Sequence, residues 1–164
     1  MSKAGFDMHR RIATVVLLTA VGLVVALTSA CATLDLPARF LVVEQAPGHV
    51  KAITPDEAKV WLRDFEEPGG DLAFWAEALE KDLVDNRGYV LITKADVKDG
   101  GGTAGRELVL ETQAYGTPVR YLIAVFVHET LFGTARIRTV EYLADKKLFD
   151  TYVVDVRAAI AKQK

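Results

Sequence analysis

Three consecutive segments with the alternating pattern of β-strands, separated by short turns, constrain the fold of this chain more than any other feature. They span residues 89–94, 106–115 and 119–128. The connections contain Asp99-Gly100-Gly101-Gly102 and Gly116-Thr117-Pro118, which are typical of turns. Parallel strands need a crossover of a dozen or more residues, so connections this short allow only antiparallel hairpins.

The third of these segments is apolar on both of its alternating faces. One face carries Val119, Tyr121, Ile123, Val125 and Val127, and the other carries Leu122, Ala124 and Phe126. A strand with this pattern is covered on both sides, so it lies inside the sheet. A further strand is predicted at residues 136–142.

Two helices are predicted around these strands. Asp71 caps the first, which ends at Gly88, and the second spans about residues 145–162. Each has one apolar stripe at helical spacing: Leu72, Trp75, Ala76, Leu79 and Leu83 in the first, and Phe149, Tyr152, Val153, Val156 and Ile160 in the second. The fold class that follows is α+β, an antiparallel sheet sandwiched by helices.

The segment before the first helix leaves two interpretations open. Residues 40–43 predict a buried strand and Pro47-Gly48 a turn. Residues 54–65 have the spacing of a helix capped at Thr54, but a turn over residues 54–57 that joins two strands also fits. The local pattern slightly favours the helix. Residues 66–70 are predicted to be a loop.

The N-terminus has the three parts of an export signal. Basic residues precede an uncharged stretch from residue 12 to residue 30, and small residues then lead into Cys31. Leu27-Thr28-Ser29-Ala30-Cys31 resembles the lipobox of bacterial lipoproteins, in which the cysteine is lipidated, although Thr28 stands where that pattern usually has Leu. We therefore expect a signal peptide at residues 1–30, a tether at 31–38 and one domain at 39–164.

Other interpretations of the N-terminus remain. The uncharged stretch is long enough for an uncleaved signal anchor, with the basic residues on the inner side of the membrane. As a separate alternative, Cys31 is an ordinary thiol that happens to follow a signal. Both the lipoprotein and the anchor hold residues 32–164 outside the cytoplasm on the membrane.

The composition excludes several classes of function. The 20 Lys and Arg residues against 22 Asp and Glu give a net charge of −2, which does not favour nucleic acid as a partner. Residues 31–164 contain no serine, and a lipidated Cys31 has no free thiolate, so both common nucleophiles are missing. Residues 31–164 contain only two histidines, His49 and His128, and no metal-binding spacing. We therefore expect no metal, no cofactor and no enzyme activity.

Four short strings resemble bacterial relatives of the PsbP-like superfold, a group that includes DcrB-type lipoproteins. They are residues 71–75, Asp-Leu-Ala-Phe-Trp; residues 87–89, Arg-Gly-Tyr; residues 102–110, with the pattern GxxGRELVL; and residues 120–126, followed by a strand and a terminal helix. The resemblance covers most of residues 40–162. It implies an α/β/α sandwich that opens with a hairpin, so we predict the hairpin for residues 49–65. It also implies an accessory or binding protein rather than an enzyme.

A few side chains remain as candidate functional residues. Trp61 and Phe65 share one side of the predicted strand and form a possible contact patch. His128 ends the central strand, where it could act as a base beside His49 or a carboxylate. The segment from Gly100 to Arg106 could bind an anion through its amides, but a hairpin loop is the better interpretation.

These observations predict a membrane-anchored envelope lipoprotein with a non-catalytic domain that binds a protein or assembles into a complex. Its location is the cell envelope, and in a Gram-negative host Ala32 after the cysteine fits the periplasmic side of the outer membrane. The alternative is a small-molecule or lipid carrier with a cavity between the sheet and the helices. A weaker alternative is an acid–base enzyme that uses carboxylates and His128.

Overall fold

The computed structural model describes residues 33–114, 116–129 and 134–163, so the predicted signal peptide and Cys31 lie outside the described residues. These residues form one seven-stranded antiparallel sheet and two helices, with the strands in the order β1-β2-β3-β7-β6-β5-β4. The strands are β1 (Leu41–Ala46), β2 (His49–Ile53), β3 (Lys59–Pro68), β4 (Val90–Lys98), β5 (Ala104–Ala114), β6 (Thr117–Glu129) and β7 (Thr134–Asp145). The helices are α1 (Leu72–Lys81) and α2 (Lys146–Ile160).

Residues 49–65 form the predicted hairpin, and the helix that local spacing favoured is absent. β2 and β3 pair antiparallel from His49–Arg63 to Ile53–Lys59. Thr54 closes the turn, because its Oγ1 accepts the backbone N–H of Ala58 at 3.0 Å. The hairpin prevails because Val60 and Leu62, which a helix at this position would separate, both enter the core on one side of β3.

Two boundary predictions were wrong. β3 continues to Pro68, so the segment predicted as a loop at 66–68 pairs with β7 instead. Residues 41–43, predicted as buried, lie in the edge strand β1, and Leu41 is 57% exposed. Their apolar composition reflects β-propensity rather than burial, and only Phe40 of that segment enters the core.

β6 lies between β5 and β7 and is covered on both faces, as its sequence predicts. Phe126 and Leu122 contribute to the cluster beneath α2, while Val125 and Ile123 pack on the other side. Across the β5–β6 pair, Gly105 faces Phe126, and a Cβ at Gly105 would lie 2.4 Å from the ring. The absence of a side chain at Gly105 therefore makes room for the ring of Phe126.

Each helix begins at the residue the sequence indicates. Asp71 Oδ1 accepts the N–H of Phe74 at 2.9 Å at the start of α1. A π-helical turn, Asp82–Asn86, extends this helix, with Arg87 as its C-cap just before Gly88. Asp145 Oδ1 accepts the N–H groups of Lys147 and Leu148 at 2.9 and 3.0 Å at the start of α2.

The helices lie on opposite faces of the sheet, so the predicted α+β sandwich is confirmed. The buried stripe of α2, with Phe149, Val153 and Val156, packs on one face, which we call the α2 face. Ala76 of α1 and Leu83 of the π-helical turn pack on the other, the α1 face.

Candidate functional site

The described chain is attached to the domain from its first residues. Leu34 and Leu36, inside the predicted tether, pack against the core of the α2 face. Lys162 Nζ lies 3.1 Å from Asp35 Oδ2, which joins this segment to the end of α2. Cys31, where lipidation is predicted, lies outside the described residues, two positions before Thr33, the first described residue.

Trp61 and Phe65, the predicted contact patch, lie on the same side of β3, on the α1 face. Trp61 is half-buried and stands in register between Lys51 of β2 and Glu141 of β7. Phe65 is 38% exposed, and the edge of its ring meets Trp75 of α1 with the ring centroids 6.1 Å apart. The two aromatic rings therefore lie at the boundary between the part of the sheet that α1 covers and the part beside it.

α1 covers only part of the α1 face of the sheet. Its apolar stripe packs on Val125, Ala135 and Ile137, which belong to β6 and β7. α1 reaches β3 at Phe65, which contacts Trp75. Within the described ranges, no helix lies over β1 and β2 on this face, since α2 packs on the opposite one. The surface formed by Trp61, Phe65 and their polar neighbours on β1–β3 and β7 is called here the open patch.

The polar neighbours of the open patch are held in fixed positions. Glu141 accepts a hydrogen bond of 2.7 Å from the Tyr121 hydroxyl and lies 3.6 Å from Arg63 Nη1. Burial, and then the Glu141 carboxylate, raise the pKa of Tyr121, so its hydroxyl remains a donor at neutral pH. Lys51 makes a similar pair with Glu44 at 3.0 Å. The result is an aromatic centre with a charged rim, a composition typical of protein-binding surfaces.

His128 lies on the opposite face, near a buried carboxylate. Its Nε2 is 3.9 Å from Asp99 Oδ2, and neither atom has a hydrogen-bond partner among the described residues. Burial, and then the nearby Arg138, lower the pKa of His128, so it is neutral at pH 7. A neutral imidazole can accept a proton, but the 3.9 Å separation is too long for the hydrogen bond by which a carboxylate orients a catalytic histidine.

The structure does not bring the two histidines of the domain together. His49 lies on the α1 face at the start of β2, where its ring is 3.3 Å from Glu44. His128 shares the α2 face with Phe126, on β6, which is three positions away from β2 in the sheet order. The weaker alternative of an acid–base enzyme therefore has no paired-histidine site in the described residues.

A buried ion pair next to His128 was missed by sequence reasoning. Arg138 binds Asp64 through two hydrogen bonds, Nε to Oδ1 at 2.6 Å and Nη2 to Oδ2 at 2.8 Å, and Arg136 adds a contact of 2.5 Å. Burial acts to raise the pKa of Asp64, but the bonds and charges of the two arginines outweigh it, so the pKa falls below its usual value. The sequence signal was available: Asp64 continues the inward alternation of Val60 and Leu62.

The glycine-rich segment forms a hairpin loop, as the sequence analysis favoured. Asp99 Oδ1 accepts the N–H groups of Gly101 and Thr103 at 2.9 and 2.8 Å. Amides that already bind a carboxylate are not available to an anion. Arg106, which was considered as the charge for such a site, pairs instead with Asp96 at 2.9 Å.

Three surface grooves border β4, the edge strand beside α1. The largest, about 470 Å³, lies between α1 and β4 on the α1 face, and its wall includes Ala76, Leu91 and six charged residues. A second, about 320 Å³, lies on the α2 face against Ala95, Val97 and Ile160. The third, about 430 Å³, lies at the start of the strand, against Val90 and Ile92. Ligand pockets are predominantly apolar, so the charged wall of the largest groove does not favour a lipid carrier.

The described residues contain no group of three side chains placed to hold a metal ion. Among the same residues, no helix has both the length and the apolar character needed to cross a bilayer.

Comparison with known proteins shows the fold alone. No protein-family model and no curated protein match the chain. Its structure is similar to that of LpqN, involved in cell envelope biogenesis of Mycobacterium tuberculosis, with a TM-score of 0.60 at 13% identity over 79% of each chain. A protein of unknown function from Pseudomonas aeruginosa, PA94, a putative regulator, has a TM-score of 0.52 at 13% identity, over 75% of this chain and 94% of its own. The Ran-binding protein Mog1p of Saccharomyces cerevisiae has a TM-score of 0.50 at 14% identity, over 79% and 80%.

Proposed function

We propose that this chain is an envelope lipoprotein, anchored through lipid on Cys31, whose domain binds a protein partner and catalyses no reaction. The open patch carries this proposal. It presents the half-buried Trp61 and the exposed Phe65 at the margin of the part of the sheet that α1 covers. Aromatic side chains with a polar rim supply most of the binding energy in protein interfaces.

The similarity to LpqN supports an envelope role, because that protein shares the fold and its description places it in cell envelope biogenesis. Mog1p supports a binding role in the same way, since the fold there binds a protein. Both are distant in sequence, so they support the class of function and not the identity of the partner.

The lipid anchor is tested by the fate of Cys31. In the wild type, mass spectrometry of the mature protein is expected to show an N-terminal Cys31 with acyl chains, recovered in the membrane fraction. The variant Cys31→Ala is expected to retain the leader and to lack acyl chains. An intact, unacylated Met1 terminus in the wild type would contradict the lipoprotein and favour the uncleaved anchor.

The binding role is tested by crosslinking in the native envelope. A partner crosslinked to the wild type is expected to be lost from the double variant Trp61→Ala, Phe65→Ala. The matched control is Val154→Ala, which removes an apolar side chain that is 70% exposed on α2, away from the open patch. Equal capture by both variants would exclude the open patch as the binding surface.

A further inference from the structure

The exposed edge of β4 forms a second interaction surface, separate from the open patch. β4 is the outermost strand on the α1 side of the sheet order, and no described strand pairs with its outer side. Such an edge presents unpaired backbone N–H and C=O groups, which can bind an added strand.

The hydrogen bonds at the end of β4 show which backbone groups point outward. Asp99 donates its N–H to Thr103 O at 3.1 Å, in register with the β4–β5 pairs. In an antiparallel sheet, the backbone N–H and C=O groups of successive residues point alternately toward one neighbouring strand and away from it. Those of Ala95 and Val97, like those of Asp99, therefore point toward β5. Those of Lys94, Asp96 and Lys98 point outward, to the unpaired side of β4. Gly100 fits this alternation, since its N–H turns away from β5 and donates to Gln163 O at 2.8 Å.

Both faces of this edge also have room for the side chains of an added strand. Lys94 lines the groove of about 470 Å³ on the α1 face. Ala95 and Val97 line the groove of about 320 Å³ on the α2 face. An added strand places alternate side chains on opposite faces, so each of its side chains would enter one of these grooves.

The charges along β4 indicate the chemistry of the added strand. Along the edge, Lys94 and Lys98 flank Asp96. Lys94 already pairs with Glu80 of α1, and Asp96 pairs with Arg106. Lys98 is exposed and has no ion-pair partner among the described side chains. A residue directly opposite Lys98 is favoured when acidic, and residues opposite Ala95 and Val97 are favoured when apolar.

We propose that β4 binds, by strand addition at Lys94–Lys98, an extended segment of a partner protein that has an acidic residue opposite Lys98 and apolar residues opposite Ala95 and Val97. A bulge at Ile92 and the two lysines limit pairing with other strands. The sequence analysis singled out neither this edge nor its partner, and the surface does not depend on the open patch.

The test uses the full-length chain in detergent micelles and a synthetic peptide with the central sequence Asp-Val-Thr-Val-Asp. Amide hydrogen exchange is measured by NMR with and without the peptide. The peptide is expected to slow exchange at Lys94, Asp96 and Lys98 by roughly tenfold or more, because these amides gain hydrogen bonds. The inward amides of Ala95 and Val97 serve as internal controls and are expected to change less.

Charge reversal makes the test specific. Lys98→Glu is expected to weaken binding of the acidic peptide by about fivefold and to improve binding of a peptide with Lys in place of both Asp residues. The control Lys147→Glu makes the same charge change on an exposed residue of α2 and is expected to change neither. Asp96→Pro removes one outward N–H and is expected to abolish binding if it folds.

Three results would overturn the proposal: no protection at the outward amides, equal protection by the acidic and basic peptides, or protection without peptide that rises with protein concentration. The last result would identify a second copy of the chain as the occupant of this edge. None of them bears on crosslinking through Trp61 and Phe65, so failure here is distinct from failure of the proposed function.

Discussion

The two faces of the sheet are covered to different extents. On the α2 face, one continuous cluster runs from β2 to β5 beneath α2, with Val97 of β4 and Leu34 packed at its margins. On the α1 face, two smaller clusters lie beneath α1 and the π-helical turn, and β1 and β2 have no described helix above them. Both faces belong to the same strands, so the difference arises from the length and placement of the helices.

The side chains that contribute most to folding stability and those that remain accessible to a partner therefore lie on different faces of the sheet. Leu62, Phe126 and Tyr142 are fully buried on the α2 face and contribute most where apolar area is removed from water. On the α1 face, the side chains that α1 leaves uncovered contribute less to folding and remain accessible to a partner. The comparison therefore predicts that equivalent truncations have unequal effects on the two faces.

The largest expected effect is on the α2 face. Phe126→Ala should lower the free energy of unfolding by about 3–5 kcal/mol, because it removes a fully buried ring and leaves a cavity against Gly105. Urea unfolding followed by tryptophan fluorescence measures this. A loss below about 1 kcal/mol would show that the α2 face is not the main source of stability.

The ion pair on the same face should have the next largest effect. Arg138→Gln leaves Asp64 buried with Arg136 as its charged partner, and we expect a loss of about 3 kcal/mol, at the low end for a broken buried pair. The double variant Arg138→Gln, Asp64→Asn should recover part of this loss. If the single and double variants are equally unstable, the coupling between the two residues is absent.

Truncation in the open patch should cost less. Phe65→Ala is expected to lower the free energy of unfolding by about 1 kcal/mol, since its ring is 38% exposed and loses little buried area. The same urea measurement applies, with Phe126→Ala as the buried counterpart. A loss of unfolding free energy equal to that of Phe126→Ala would contradict the expectation that the open patch contributes less to stability than the α2 face.

The smallest expected effect concerns pH. Because the pKa of His128 is lower in the folded chain than in the unfolded one, stability is complete above pH about 6.5 and falls as the pH drops below it. His128→Asn should flatten this part of the stability curve between pH 7 and 5, while His49→Asn, on the other face, serves as the control.

Much of the fold could be predicted from the sequence, where pattern and burial agree. β6, with two apolar faces, and the capped helices at Asp71 and Asp145 lie where predicted. The hairpin at residues 54–65 could not be separated from a helix by local spacing, because the apolar residues fit both patterns. Trp61, Leu62 and Phe65 form one stripe on a helix, whereas Val60 and Leu62 share one side of a strand. Packing of Val60 and Leu62 against the core decided it.

The candidate sites were predictable only in part. Trp61 and Phe65 were singled out because they alternate on one strand, and the structure places them on one face. Their contact patch stays a prediction. The pairing of Asp64 with Arg138 joins residues far apart in the chain, and the outward groups of β4 depend on which strand ends the sheet. Neither is visible in a local pattern.

The sequence by itself determined the antiparallel hairpins and the amphipathic helices, because turn residues and hydrophobic period act over short distances. The lipidation at Cys31 stays a prediction from the sequence. Only the tertiary structure decided which face of the sheet stays open and which strand forms its edge. These properties depend on long-range strand order and on where each helix packs, and neither is encoded in the spacing of neighbouring residues.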